Sequence, residues 1–135
     1  MIVLDASALV DALIGQSERA WVLEQLAGQK ICAPAHQPVE VLSALARLTR
    51  TGDLDVPAER AALDTALTLR QEFVVLTDAH LRRALALQDQ IRVADGLYVA
   101  LAEERSCPLV TTDRRLGRAY APCEVRTPPG NPQLR

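Results

Sequence analysis

Short, wholly apolar runs alternate with longer stretches whose apolar residues recur every three or four positions. Ile2-Val3-Leu4 is uninterrupted until Asp5, and Ser7 with Ala8 to Ile14 then leads to Gly15; this predicts a buried strand followed by a short helix. Ser17 offers a start signal for a second helix to Leu26. Lys30 to Ala35, with Ile31 and Cys32, predicts a second strand. Pro38 then opens a helix to Arg50 whose core stripe is Val41, Leu45 and Leu48, stopped by Thr51-Gly52-Asp53. A further helix is expected over Pro57 to Leu69, a strand over Phe73 to Leu76 and a helix over His80 to Gln90. Ala94 to Arg105 predicts another helix, Pro108 to Thr112 a fourth strand, and the residues through Tyr120 a short helix. Glu124-Val125-Arg126 reads as an edge strand. Strands alternating with helices imply right-handed crossovers, hence an α/β/α sandwich around a mainly parallel sheet of four to five strands.

A chain of 135 residues fits one domain, expected over residues 1–127, with the proline-rich 128–135 as a flexible tail. The 49% hydrophobic and 24% charged composition is that of a globular protein. No apolar stretch approaches the roughly 20 residues a membrane span needs, and no basic segment precedes the first apolar run, so a cytoplasmic protein is expected. The three cysteines, Cys32, Cys107 and Cys123, are far apart and odd in number, which fits ordinary thiols better than disulfides or a C-x-x-C metal site. His36 and His80 lack any zinc-type spacing and are expected to be structural or surface residues. The net charge of −2 gives no global field for nucleic acid, and Lys30 is the only lysine among 15 basic residues.

The candidate chemistry is carboxylate chemistry. In parallel sheets, ligands sit beyond the carboxyl ends of the strands. Asp5 closes the first strand and Asp113 the fourth, so both should face one edge, although an Asp at such a junction can equally cap the next helix. Asp78 follows the third strand similarly but leads straight into a helix and is read as its start. Glu40 stands in the first turn of the Pro38 helix, where the helix dipole favours a carboxylate, and no capping residue precedes it. Asp95 opens its helix on the face shared by Tyr98, Val99 and Ala102; a carboxylate turned toward apolar surroundings requires a partner or a cation. If the four converge, their hard oxygen donors suit Mg²⁺ or Mn²⁺ rather than zinc, and the matching chemistry is phosphodiester hydrolysis.

Four segments in order resemble the motifs of the PIN-domain family, and specifically its VapC toxins, over nearly the whole chain. Val3 to Leu9 is similar to the first motif, with Asp5 as its acidic residue and Ser7 as a nearby hydroxyl. Pro34 to Leu48 is similar to the second, with Glu40. Ala94 to Ala102 is similar to the third, with Asp95, and Thr111 to Leu116 to the fourth, with Asp113 and a supporting Thr112. Ala6 stands where the family often has Thr, and Gly96 where it often has Ala. The resemblance implies a metal-dependent endoribonuclease acting on structured RNA such as tRNA or rRNA. It also implies a VapB-like antitoxin partner, a homodimer and the toxin role in a type II toxin-antitoxin pair. Arg114, Arg115 and Arg118 follow Asp113 and either meet phosphates or form a solvated helix face. The helices over Ser17 to Leu26 and Pro57 to Leu69 are candidate walls of an antitoxin groove.

Other readings fit less well. A phosphatase of the haloacid-dehalogenase type needs a second Asp two positions after the first, where Ser7 stands. A receiver domain needs a late lysine, and none follows Lys30. A PIN-like domain that binds RNA or a partner without cutting remains the alternative, and a DNA-cleaving nuclease would share the same metal chemistry.

Overall fold

A computed structural model of the chain describes residues 1–15 and 17–130. The strands are β1 (Ile2–Leu4), β2 (Ile31–Pro34), β3 (Glu72–Val74), β4 (Leu109–Val110) and β5 (Val125–Arg126). They form one parallel sheet in the order β3-β2-β1-β4-β5. Among the described residues seven helices accompany them: α1 (Ala6–Leu13), α2 (Arg19–Leu26), α3 (Gln37–Arg50), α4 (Val56–Thr68), α5 (Asp78–Ala86), α6 (Val93–Arg105) and α7 (Arg114–Arg118). The expected α/β/α sandwich is therefore the fold, and all five anticipated strands are present.

Alternation along β1 divides the core. Ile2 and Leu4 pack on Leu9, Val22, Val41 and Leu45 on one face, and Val3 packs on Tyr98, Val99 and Leu109 on the other. Side chains on a strand point to opposite faces in turn, so this central strand must be apolar throughout. The chain winds from β1 outward to β3, then returns to place β4 on β1's other side. That reversal opens a crevice beside β1 at the carboxyl edge of the sheet.

Helix α6 is buried continuously from Gly96 to Ala102 and pairs with α5. A Cβ built on Gly96 would lie 3.1 Å from the Cα of Ala84, so the small residue sets the closest approach of the two helices. Gly96→Val is expected to lower stability by about 1–3 kcal/mol through overpacking, read as a lower denaturant midpoint with an unchanged slope.

Several boundaries move. Strand β3 covers Glu72–Val74 rather than Phe73 to Leu76, because its partner β2 ends at Pro34, paired with Val74. Beyond that point no ladder is offered, and Val75 is 78% exposed. Helix α2 begins at Arg19, two residues after the expected Ser17, and Glu18 at its N-cap position makes no side-chain cap. Helix α5 starts at Asp78, as that residue's position suggested, with Thr77 capping it, and ends at Ala86 rather than near Gln90. The shortened helix turns the chain so that Ile91 is buried against α6. Of the expected tail, Pro128 is buried and the Pro129 carbonyl accepts a hydrogen bond from Arg114, while residues 131–135 lie outside the described ones. Among the described residues no helix is long and apolar enough to cross a membrane.

Candidate active site

Asp5 is the residue after β1 and is 5% exposed. It occupies the N-cap position of α1, yet its side chain makes no capping bond, so the carboxylate is not engaged by the helix. Its Oδ2 instead accepts from the Ser7 hydroxyl at 2.7 Å and the Thr111 hydroxyl at 2.6 Å. Thr111 reaches it because β1 and β4 run in register, Leu4 beside Val110, which sets Asp5 level with Thr111. The backbone N–H of Asp113 also donates to the Thr111 hydroxyl, at 3.0 Å. The hydroxyl that meets Asp5 from this strand end is that of Thr111, beside the expected Thr112. Thr112 contributes a backbone N–H to the Ser7 oxygen at 3.3 Å, and its side chain serves Asp11. Burial pushes the Asp5 carboxyl up to about 6, against the two hydroxyl hydrogen bonds that pull it down, with Asp95 and Glu40 adding repulsion.

Glu40, in the first turn of α3, is fixed from behind. Tyr98, fully buried on α6, donates its hydroxyl to Glu40 Oε1 at 2.6 Å. His36 Nε2 stands 3.2 Å from the same oxygen, and the His36 ring tilts against that of Tyr98 at a centroid distance of 4.9 Å. His36 therefore belongs to the site rather than to the surface; His80 is structural, accepting the Thr77 N–H to close the cap of α5 and approaching Glu104 at 3.0 Å. Burial raises the Glu40 carboxyl, but the His36 and Tyr98 contacts outweigh it and leave it below its ordinary range. Tyr98→Phe is expected to cost about 1–2 kcal/mol, because it leaves a half-buried carboxylate short of its donor; thermal unfolding of the two proteins side by side measures it.

Asp95 and Asp113 are the outer pair, and each has an arginine. Arg92 Nε lies 3.9 Å from Asp95 Oδ2. Arg115 places Nε 3.4 Å from Asp113 Oδ1 and Nη2 3.4 Å from Oδ2. Asp113 Oδ1 also accepts from the Arg115 backbone at 2.9 Å and caps α7, so the capping role and a place at the site coexist in this residue. Burial raises the Asp95 carboxyl, with Arg92 opposing and Asp113 and Glu40 reinforcing. Burial also raises Asp113, but Arg115 more than reverses that and holds it below its ordinary range.

All four acidic residues line one cleft of about 700 Å³. Asp11, Arg47, Arg92 and Arg115 line it too, and its far end is apolar, with Val10, Ile14, Ala44 and Leu48. Asp11 was not among the expected site residues; burial raises its carboxyl against a Thr112 hydrogen bond. Of the arginines expected near phosphates, Arg115 reaches the cleft, Arg114 is tied to Glu18 at 2.9 Å, and Arg118 is exposed outside the cleft lining. The donor set is all oxygen and suits a hard divalent cation. Among the described residues, however, no three His, Cys, Asp or Glu side chains stand close enough to form a ready metal cage.

Residues 2–122 match the PIN domain family. Ribonuclease VapC3 of Mycobacterium tuberculosis is 44% identical over 122 residues, covering 88% of this chain and 87% of the relative. Ribonuclease VapC12 of the same organism is 35% identical over 126 residues, covering 89% and 92%. Among solved structures, VapBC2 from Rickettsia felis, bound to a DNA fragment from its promoter, superposes with a TM-score of 0.68 at 18% identity, covering 96% of this chain and 100% of that one. PAE2754 from Pyrobaculum aerophilum superposes with a TM-score of 0.64 at 26% identity, covering 92% and 82%. Sequence matches across most of both chains, together with the shared fold, lead to one conclusion: this chain belongs to the PIN-domain family and falls with its VapC ribonucleases.

Proposed function

We propose that the chain is a divalent-metal-dependent endoribonuclease and the toxin of a type II toxin-antitoxin pair. The observation that carries this reading is the convergence of Asp5, Glu40, Asp95 and Asp113, from four separate segments, on one cleft at the carboxyl edge of a parallel sheet. The VapC names of the relatives support the ribonuclease activity.

Mg²⁺ or Mn²⁺, when bound, supplies Lewis acidity toward water and toward a phosphate oxygen. The residues that would hold it are the same four carboxylates. Ser7 and Thr111 both occupy Oδ2 of Asp5, which leaves Oδ1 toward the cleft, and Tyr98 and His36 likewise occupy Oε1 of Glu40 and leave Oε2. Arg47, which lines the cleft from α3, supplies a positive charge for an RNA phosphate. In-line attack by water forms one P–O bond and breaks that to the leaving ribose oxygen; a cleft carboxylate would take the proton that the water loses, and solvent would supply the one that the leaving oxygen gains.

A structured RNA such as tRNA or rRNA is the proposed substrate, and a VapB-like antitoxin the proposed inhibitor, in the cytoplasm. Support for the partner comes from structural neighbours that are complexes, including a toxin-antitoxin complex from Klebsiella pneumoniae. An apolar groove beside α4 is lined by Leu42, Leu63, Leu67 and Phe73. It is completed by α3 and β3, and α2 contributes none of its lining. A homodimer is proposed from the family, and light scattering on purified protein tests it.

Purified protein is expected to cut total RNA into discrete fragments with Mg²⁺ or Mn²⁺, to stop with EDTA, and to be inert as Asp5→Asn. The second reading is an RNA- or partner-binding domain that does not cut. Absence of any cleavage with antitoxin demonstrably removed would make it the leading one.

A further inference from the structure

The four carboxylates are neutralised in two different ways. Asp5 and Glu40 are held by uncharged hydroxyls and a histidine, whereas Asp95 and Asp113 face guanidinium groups. Arg92 and Arg115 are also the two arginines that border both the main cleft and the smaller hollow adjoining it, which Asp95 and Asp113 share. Their side chains are 68% and 69% exposed, so water can take over their hydrogen bonds at little cost if they leave. Their contacts, at 3.4–3.9 Å, are longer than the 2.7–2.9 Å or so of a tight charge-assisted bond. They compensate charge without locking it.

Resting on the metal-dependent reading above, we propose that Arg92 and Arg115 are internal counter-ions: in the metal-free protein they occupy the charge position of the divalent cation at Asp95 and Asp113. Cation binding displaces them to the cleft mouth, where they meet RNA phosphates. The two carboxylates nearest them cannot accept a cation at full strength while paired, since each guanidinium repels an incoming divalent ion and competes for the same oxygens.

The test is calorimetric titration of Mn²⁺ alone, without RNA, into wild type, Arg92→Gln, Arg115→Gln and Arg118→Gln. Arg118 sits on the same short helix but outside the cleft lining, so its variant measures the generic effect of removing one positive charge. Arg92→Gln and Arg115→Gln are expected to bind Mn²⁺ about threefold to tenfold more tightly than wild type, from the loss of repulsion at a few ångström, and Arg118→Gln less than about twofold. In cleavage assays the first two variants are expected to reach half-maximal rate at lower Mn²⁺ but to show a raised KM for RNA. Tightening no greater than that of Arg118→Gln, or weaker binding, overturns the counter-ion role, and an unchanged KM overturns the transfer to phosphates. A wild type that binds no Mn²⁺ overturns the metal-dependent reading itself and the exchange with it, which separates the two failures.

Discussion

Asp5→Asn is expected to make the metal-free protein more stable while removing its cleavage of RNA. Burial lifts the Asp5 carboxyl from 3.8 to about 6, so at neutral pH the folded chain carries an ionised group that its surroundings disfavour. The difference corresponds to about 3 kcal/mol. Between pH 3.8 and about 6 the native state retains a proton that the unfolded chain has lost; the contribution of Asp5 therefore declines as pH rises through that window and is fully adverse above it. Asn keeps an oxygen to accept from Ser7 and Thr111 but carries no charge. The variant should gain roughly 1–3 kcal/mol at pH 7.5, equivalent to several degrees in Tm, and the gain should shrink toward pH 4. Chemical unfolding of both proteins in EDTA across pH 4–8 reads the difference directly. A variant less stable than wild type above pH 6 would mean that the carboxylate is better solvated than the structure indicates. Saturating Mn²⁺ should narrow the gap, since the ion stabilises only the protein that binds it.

Asp95→Asn is the second large effect, and it falls on activity. The residue opens a helix that is otherwise buried from Gly96 to Ala102, so the nearly isosteric change leaves the packing surface untouched. It removes one of the four carboxylate charges of the cleft and the negative partner of Arg92. Cleavage should fall at least about a hundredfold, the scale on which loss of one preorganised electrostatic contact is felt, while the melting temperature stays within a few degrees. Retained full activity would sink the assignment of Asp95 to the site. Comparing initial rates at several Mn²⁺ concentrations shows whether the loss is of affinity for the ion or of turnover.

The central strands were legible because β1 and β4 are buried on both faces. Such strands read as unbroken apolar runs, as Ile2-Val3-Leu4 and Leu109-Val110 do, whereas the edge strands β3 and β5 are partly exposed and carry Glu72 and Arg126. The acidic residues were legible for a related reason: Asp5 and Asp113 interrupt such runs at their carboxyl ends, and Asp95 and Glu40 sit where charge meets an apolar helix face. Thr111 was not singled out beside Thr112 because the motif marks a neighbourhood, while which hydroxyl meets Asp5 depends on the pairing of β4 with β1. His36 was missed because its role comes from stacking on Tyr98, 62 positions later in the sequence, a contact no local spacing encodes. The arginine partners illustrate a third kind of blindness. Arg92 precedes Asp95 by three residues and Arg115 follows Asp113 by two, spacings readable in principle, but only the shared cleft shows that the two pairs neighbour one another.

The register that sets Asp5 beside Thr111 joins residues 106 positions apart, and it carries a consequence for synthesis. At about 5–20 residues per second, Asp5 waits several seconds or more on the ribosome before the strand that completes its surroundings exists. Until then β1 lacks its β4 neighbour, and the Asp5 carboxylate has neither Thr111 nor Asp113 nearby. In a chain made in this order the four carboxylates come together in one cleft only near release.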